Sequence, residues 1–290
     1  MKPSTNFKHL AAFLRKKKVI LSCALLSCVM GMPAYADLLQ DIKDRGYVRV
    51  ATEARFTPFE FIEDGKVVGY DFDLLAKVLE ALPGIELRIS DLPWQGVLPA
   101  LTQGKVDFVV AAASPLESRR KFFDFTIPIA DASLAFVVRA DEQNIKQSAD
   151  VVGKIVGSQS GASQIFDTEA YDKELIKEHG KGMAQIKGYV SFDEAYADLL
   201  NRRVDAVSQS LPNLLFVQKQ HPDKYKVITP PFGQQAYFNW VVRNDDASKS
   251  LLEFLDGELK KFNHDGTMNQ LQEKWFGYAM NVPDYIPRYQ

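Results

Sequence analysis

Three consecutive cations follow a turn-like segment in the first half of the chain, and one of them is a candidate anion-binding group. Arg119, Arg120 and Lys121 come after residues 114–117, which read Ser-Pro-Leu-Glu. A planar guanidinium at the mouth of a strand-to-helix turn can hold a carboxylate through two parallel hydrogen bonds. A run of like charges is also typical of a solvated helix face. On residue types alone the solvated face is the better interpretation of such a run, and we assign it to Arg120 and Lys121.

Two aromatic residues beside turn-forming residues are candidates for the walls of a binding cleft. Phe56 precedes Thr57-Pro58, and Trp94 lies between Pro93 and Gly96. Aromatic rings pack against the aliphatic part of a ligand or face its cationic group. Most aromatic side chains lie in cores, which is the alternative for both residues. The loop predicted around Trp94 favours the cleft.

A third candidate is the start of a helix. Residues 161–164 read Gly-Ala-Ser-Gln and follow a predicted strand. Backbone amides and a hydroxyl at a helix start can bind a carboxylate. A simple helix cap is the alternative, and both interpretations can hold together.

Groups for catalysis are missing from the sequence pattern. Both cysteines, Cys23 and Cys28, lie in the first 36 residues, and the four histidines are isolated from one another. No paired acid and base, metal-ligand cluster or nucleophile with its base can be recognised. The pattern favours a binding protein over an enzyme and predicts no metal and no cofactor.

The elements that must position these residues alternate between strand and helix patterns. Two copies of this alternation occur, which predicts an α/β fold with parallel strands and flanking helices. The predicted strands are 47–51, 106–111, 154–158 and 204–207, and the predicted helices are 72–81, 96–103, 191–200, 248–262 and 268–275.

The N-terminal segment predicts export. Six basic residues and no acidic residue are followed by the apolar run 19–32 and by Pro33-Ala34-Tyr35-Ala36. This is the pattern of a cleavable signal peptide, residues 1–36, and it predicts a periplasmic protein. A membrane anchor is the alternative, but the run is shorter than the roughly 20 residues that a bilayer requires. A lipoprotein site at Cys28 would leave the better cleavage site unused.

Loss of this segment makes the chain more acidic. The formal charge of −2 becomes −8, because the segment holds six basic and no acidic residues. An acidic surface disfavours nucleic acid and anionic membranes as partners.

Several short motifs, in order, resemble one known family. They are Thr57-Pro58-Phe59-Glu60-Phe61, Gly69-Tyr70-Asp71-Phe72-Asp73, Gly104-Lys105-Val106-Asp107, Phe123-Asp124-Phe125-Thr126, Gly153-Lys154-Ile155-Val156-Gly157, Asp265-Gly266-Thr267 and Lys274-Trp275-Phe276-Gly277. Together they resemble the family 3 extracellular solute-binding proteins of polar amino acid ABC importers. The likeness covers essentially the whole chain after residue 36.

The resemblance implies a type II periplasmic binding fold. Lobe one is expected to comprise residues 37–131 and 235–290, and lobe two residues 132–234, joined by two hinge strands with a ligand cleft between them. The expected ligand is a small polar solute with a carboxylate, such as an amino acid. The expected partner is an inner-membrane ABC permease, and the protein is expected to be a monomer.

The resemblance also implies roles for individual residues. Arg119 would hold the ligand's α-carboxylate, assisted by Ser114, and Ala112 would lend a backbone carbonyl. Phe56 and Trp94 would enclose the aliphatic part. The expected contacts from lobe two are Gln159, Ala162 and Ser163.

One position departs from the family pattern. Ser210 stands where an aspartate commonly holds the ligand's α-ammonium, and a neutral hydroxyl is a weaker partner for a buried cation. Glu53 matches a position that faces the distal end of the ligand. It would repel a second carboxylate, although an exposed loop carboxylate is the alternative.

Two other classes of protein remain open. Periplasmic cyclohexadienyl or arogenate dehydratases share this fold, and Glu53 could act there as a general acid. A sensory module would normally carry a transmembrane or signalling segment, which the sequence pattern does not show.

Overall fold

The computed structural model describes residues 37–287, and the predicted signal peptide, residues 1–36, lies outside the described residues. Within 37–287, no helix has the length and apolar character needed to cross a membrane.

Strands and helices alternate over most of this range. The strands are β1 Tyr47–Thr52, β2 Arg55–Phe56, β3 Glu60–Glu63, β4 Lys66–Val68, β5 Glu86–Asp91, β6 Phe108–Ala113, β7 Phe123–Phe125, β8 Ala130–Asp131, β9 Leu134–Arg139, β10 Ile155–Gln159, β11 Gln185–Tyr189, β12 Ala206–Ser210, β13 Tyr225–Phe232 and β14 Tyr237–Arg243. The helices are α1 Leu38–Arg45, α2 Tyr70–Leu79, α3 Trp94–Thr102, α4 Glu117–Arg120, α5 Ser163–His179, α6 Phe192–Leu200, α7 Leu211–Gln220, α8 Lys249–His264 and α9 Thr267–Phe276.

Two main sheets repeat one topology and define two lobes. Lobe one contains the order β5-β1-β6-β14-β7, with β8 paired to β14, and lobe two contains β11-β10-β12-β9-β13. In each sheet three strands are parallel, and an antiparallel strand pairs with the third of them, β14 with β6 in lobe one and β9 with β12 in lobe two. The predicted α/β class with parallel strands is confirmed.

The same aspartate motif begins the third parallel strand of each lobe. Asp107 accepts a hydrogen bond from Arg49 N at 2.7 Å, and its own N–H donates to Arg49 O at 2.8 Å. Asp205 forms the matching pair with Ile155, at 2.8 Å in both directions. Because these side chains bond to the backbone of the neighbouring strand, regular pairing starts after them. The predicted strands 106–111 and 204–207 therefore begin too early: β6 starts at Phe108 and β12 at Ala206.

The chain crosses between the sheets twice. Residues 132–133 connect β8 to β9, and residues 233–236 connect β13 to β14. All strands of the second sheet lie between these crossings, whereas β14 returns to the middle of the first sheet.

An aromatic cluster fixes the small antiparallel sheet β2-β3-β4 onto lobe one. The ring of Phe59 lies 5.2 Å from that of Phe238 and 4.9 Å from that of Phe276. Tyr70 packs against Phe276 at 5.4 Å, and its hydroxyl donates to Ile129 O at 2.6 Å. These contacts hold β2 and β3 in place beside the cleft.

Candidate functional site

A small, nearly closed pocket lies between the two lobes. Nine of the ten predicted site residues line it, and the exception is Ser210. The lining residues are Glu53, Phe56, Glu60, Trp94, Ala112, Ala113, Ser114, Arg119, Gln159, Ala162, Ser163 and Gln164.

Arg119 is the basic residue of the pocket lining. Its guanidinium donates to Ser114 O and to Gly161 O, each at 3.0 Å, and lies 5.2 Å from the centre of the Trp94 ring. The residue is only 8% exposed and forms no ion pair with any acidic side chain in the described part of the chain. Burial lowers the pKa of Arg119 to about 10, and the nearby charge of Asp167 opposes this shift. The group therefore remains a cation whose charge no ion pair compensates.

The local backbone explains why one cation of three is buried. β6 ends at Ala113, and a turn closed by Leu116 N donating to Ser114 O leads into α4. Arg119 points into the pocket from this short helix, while Lys121 is exposed and Arg120 is half-buried with its Nε donating to Pro115 O at 3.1 Å.

Glu53 also lines the pocket. The residue is 3% exposed, and its Oε1 accepts from Gln159 Nε2 of lobe two at 2.7 Å. Burial raises the pKa of Glu53 to about 7, although the hydrogen bonds from Gln159 and the Trp94 backbone oppose the rise. The alternative of an exposed loop carboxylate does not apply.

A second pocket carboxyl, Glu60, was missed from the sequence. It is 1% exposed and sits on β3 between the aromatic residues Phe59 and Phe61. The local pattern gave no signal, because an acidic residue between two apolar residues is the alternation of a half-buried strand and predicts an exposed side chain.

Asp71 lies directly behind Glu60. Asp71 N donates to Phe59 O at 3.0 Å, and Tyr70 N donates to Pro58 O at 3.0 Å. Gly69 makes this approach possible: its φ is +131°, and a β-carbon there would lie 2.2 Å from Phe59 O. The two carboxyl side chains interact with each other, and the indole of Trp240 lies beside Asp71.

The aromatic candidates occupy the pocket wall and the core at once. Phe56 contacts Phe59, Phe192 and Phe238 at ring distances of 5.7–5.8 Å and also lines the pocket. Trp94 is 7% exposed, and its indole N–H donates to Gly161 O at 2.9 Å. Trp94 is the first residue of α3 and not a loop residue, so the predicted helix 96–103 begins two residues too late.

Lobe two contributes neutral polar groups. Ser163 begins α5 with Ala162 as its N-cap residue, and Ser163 Oγ lies 3.1 Å from Ser114 Oγ of lobe one. Gln164, also missed from the sequence, donates to Gln209 Oε1 at 3.1 Å. Gln159 donates to Val190 O at 3.0 Å in addition to Glu53.

Ser210 lies away from the pocket lining. Its side chain is fully buried, and its hydroxyl donates to Asn213 Oδ1. Asn213 Nδ2 in turn donates to Thr57 O of lobe one at 2.8 Å. Ser210 thus supports a contact between the lobes, and its hydroxyl is already engaged.

Asp167 is a further acid near the site. It lies on α5 next to the pocket, where burial raises its pKa to about 6 and the charge of Arg119 opposes the rise. Nothing in the sequence distinguished it from the other acids of α5. No group of three metal-ligating side chains occurs within residues 37–287.

The comparisons with known proteins agree with this geometry. The sequence model of the bacterial extracellular solute-binding proteins, family 3, matches residues 48–278. The L-cystine-binding protein TcyJ of Escherichia coli strain K12 is 27% identical over 267 residues, which cover 90% of this chain and 96% of that protein. An ancestral arginine-binding protein bound to arginine is 35% identical, with a TM-score of 0.69 over 80% of this chain and 99% of that chain.

A third similar structure bears on catalysis. It is the ancestral amino acid-binding protein AncCDT-1, described as a precursor of cyclohexadienyl dehydratase. It is 28% identical, with a TM-score of 0.71 over 82% of this chain and 99% of that chain.

Proposed function

The chain belongs to family 3 of the bacterial extracellular solute-binding proteins, and we propose that it captures an amino acid in the cleft and delivers it to an ABC importer. Its fold is the type II periplasmic binding fold that the sequence predicted. Curated relatives that bind amino acids for ABC transporters support this function.

The buried guanidinium of Arg119 is the observation that carries the proposal. A buried cation without an ion pair is costly, and a bidentate carboxylate would compensate it. Ser114 and the start of α5, with Ala162 and Ser163, supply further donors around the same point. Phe56 and Trp94 would flank the aliphatic part of the ligand, and Glu53 and Gln159 would face its distal end.

We propose that binding closes the two lobes by rotation at the crossings 132–133 and 233–236. Contacts such as Trp94 Nε1 to Gly161 O and Asn213 Nδ2 to Thr57 O join the lobes and would break on opening. A saturating ligand should therefore reduce the radius of gyration measured by small-angle scattering. Identical profiles with and without ligand would contradict closure.

The proposed location is the periplasm, reached through cleavage of a signal peptide after Ala36. N-terminal sequencing of the exported protein tests this directly, since the first residue should be Asp37. The proposed partner is the membrane permease of the importer, with the protein acting as a monomer.

A thermal-shift screen over amino acids, amines and organic acids, followed by calorimetry, tests the function. A ligand present at 100 times its Kd should raise the free energy of unfolding by about 2.7 kcal/mol. If no amino acid or amino-acid derivative stabilises the protein, the proposal fails.

The likeness to a dehydratase precursor and the raised pKa of Glu53 favour one second candidate. A carboxyl that is still protonated near neutral pH could act as a general acid on arogenate or prephenate. We propose binding without chemical change, because the curated relatives are named as binding proteins. Turnover of either compound by the purified protein would show that the protein is an enzyme and would contradict binding without chemical change.

A further inference from the structure

The pocket lining contains more acidic than basic groups. Arg119 supplies one positive charge, whereas Glu53 and Glu60 supply two carboxyl groups. If Arg119 receives the ligand's carboxylate, both of these carboxyl groups are left without a cation. An ionised carboxyl in a buried site is stable only when a cation or several hydrogen-bond donors compensate it.

Glu60 is the less compensated of the two. Glu53 accepts a hydrogen bond from Gln159, whereas Glu60 Oε2 is buried without a hydrogen-bond partner in the described part of the chain. Asp71 behind it differs, because its carboxyl interacts with that of Glu60 and with the indole of Trp240. A buried, unpartnered carboxyl oxygen in the lining of a ligand pocket indicates that the ligand supplies its partner.

The charged groups around Glu60 come from three elements. Glu53 follows β1, Asp71 lies on α2, and Arg119 of α4 lines the same pocket. Burial and the neighbouring carboxyl of Asp71 raise the pKa of Glu60 well above its usual range, and burial raises the pKa of Asp71 to about 7. The buried pair therefore retains a proton near neutral pH.

We propose that Glu60 and Glu53 together receive the cationic groups of an amino acid with a positively charged side chain, and that binding displaces a proton from the pocket carboxyls to solvent. This inference rests on the proposed function. Arg119 with two ionised carboxylates gives the pocket a charge of −1, with Asp71 keeping its proton. A ligand with one carboxylate and two cations has a charge of +1 and neutralises it.

Calorimetry on the unmodified protein tests the proposal with matched ligands. L-Citrulline has nearly the shape of L-arginine but a neutral side chain. Arginine should bind about 10- to 100-fold more tightly, the usual scale for a charged hydrogen bond. Titrations at pH 6.5 in two buffers of different ionisation enthalpy should show between about one and two protons released per arginine, and fewer per citrulline.

The variant Glu60→Gln keeps the shape and removes the charge. Its affinity for arginine should fall about 10-fold or more, and the proton release should decrease. Glu63→Gln, an exposed residue on the same strand, is the matched control and should change neither quantity. An arginine Kd within about twofold of the unmodified protein in Glu60→Gln would remove Glu60 from the site.

The unmodified protein decides the question even if Glu60→Gln does not fold. Equal affinity for arginine and citrulline, or arginine binding without proton release, overturns this inference while the proposed function stands. Failure of every amino acid to bind would instead overturn the proposed function.

Discussion

The two lobes repeat one sheet topology, yet they present different chemistry to the cleft. Every charged residue of the pocket lining belongs to lobe one, namely Glu53, Glu60 and Arg119. Lobe two contributes Gln159, Ala162, Ser163 and Gln164, all neutral. The same fold therefore supports two surfaces that differ in what they can recognise.

The difference suggests a division of labour. Charged hydrogen bonds are the stronger and more selective ones, so lobe one would choose the ligand by its charges. Burying neutral amides and hydroxyls costs less desolvation free energy than burying charged groups. Lobe two can therefore close over the ligand and reopen with a smaller change in free energy. Substitutions in lobe one should accordingly alter affinity more than those in lobe two.

The largest effect is expected at Arg119. Arg119→Ala should weaken binding by about 2–5 kcal/mol, because the ligand's carboxylate would be buried without its partner. The melting temperature without ligand should fall little, since the removed cation forms no ion pair. Arg120→Ala is the control and should bind normally by calorimetry. Near-normal affinity in Arg119→Ala would contradict the expectation that lobe one contributes more to affinity than lobe two.

Glu53→Gln should have the next largest effect. It removes a cleft charge while keeping the shape, and affinity for a cationic ligand should fall by about 1–3 kcal/mol. Glu86→Gln on the edge strand β5 is an exposed control in the same sheet. Dicarboxylates should bind the unmodified protein poorly. If glutamate or aspartate proves the tightest ligand, the placement of Glu53 opposite a cation is wrong.

The lobes should also differ in how pH affects stability. Glu53, Glu60 and Asp71 in lobe one have folded-state pKa values above their ordinary ones. The stability that they contribute is complete below a pH of about 4, and for Glu53 and Asp71 it is lost as pH rises through about 7. Each carboxyl that must ionise lowers the free energy of unfolding by up to about 1.4 kcal/mol per pH unit.

Asp198 in lobe two gives the matched contrast. Its hydrogen bonds with Lys187, Tyr189 and Arg203 lower its pKa, so its contribution is lost only as pH falls. Urea unfolding between pH 6 and 8 should therefore show a shallower pH dependence in Asp71→Asn, whereas Asp198→Asn should keep the slope of the unmodified protein. Equal slopes in all three proteins would contradict the raised pKa of Asp71.

The smallest effect is expected at Ser210. Its hydroxyl is engaged by Asn213 and does not line the pocket, so Ser210→Ala should change the Kd by less than about threefold. A loss of affinity greater than tenfold, measured by calorimetry, would show that Ser210 takes part in ligand binding.

The sequence predicted the framework better than the details. The position of β1 and the pairing of two α/β units followed from alternating patterns, and Arg119 followed from the family resemblance. The starts of β6 and β12 were misplaced because Asp107 and Asp205 bond to a neighbouring strand that is distant in sequence. Glu60 and Asp71 were missed as a pair because only the close approach at Gly69 brings them together.

The position of β14 in the first sheet has a consequence for the order in which the two sheets fold. A chain that emerges from its N-terminus releases every strand of the second sheet, which ends at Phe232, before β14 appears at Tyr237. β14 lies between β6 and β7, so the first sheet stays divided until residues 237–243 arrive. We expect the second sheet to complete its pairing first, because its contacts span fewer residues and close smaller loops. The lobe that carries the charged residues would then be the last to become able to bind.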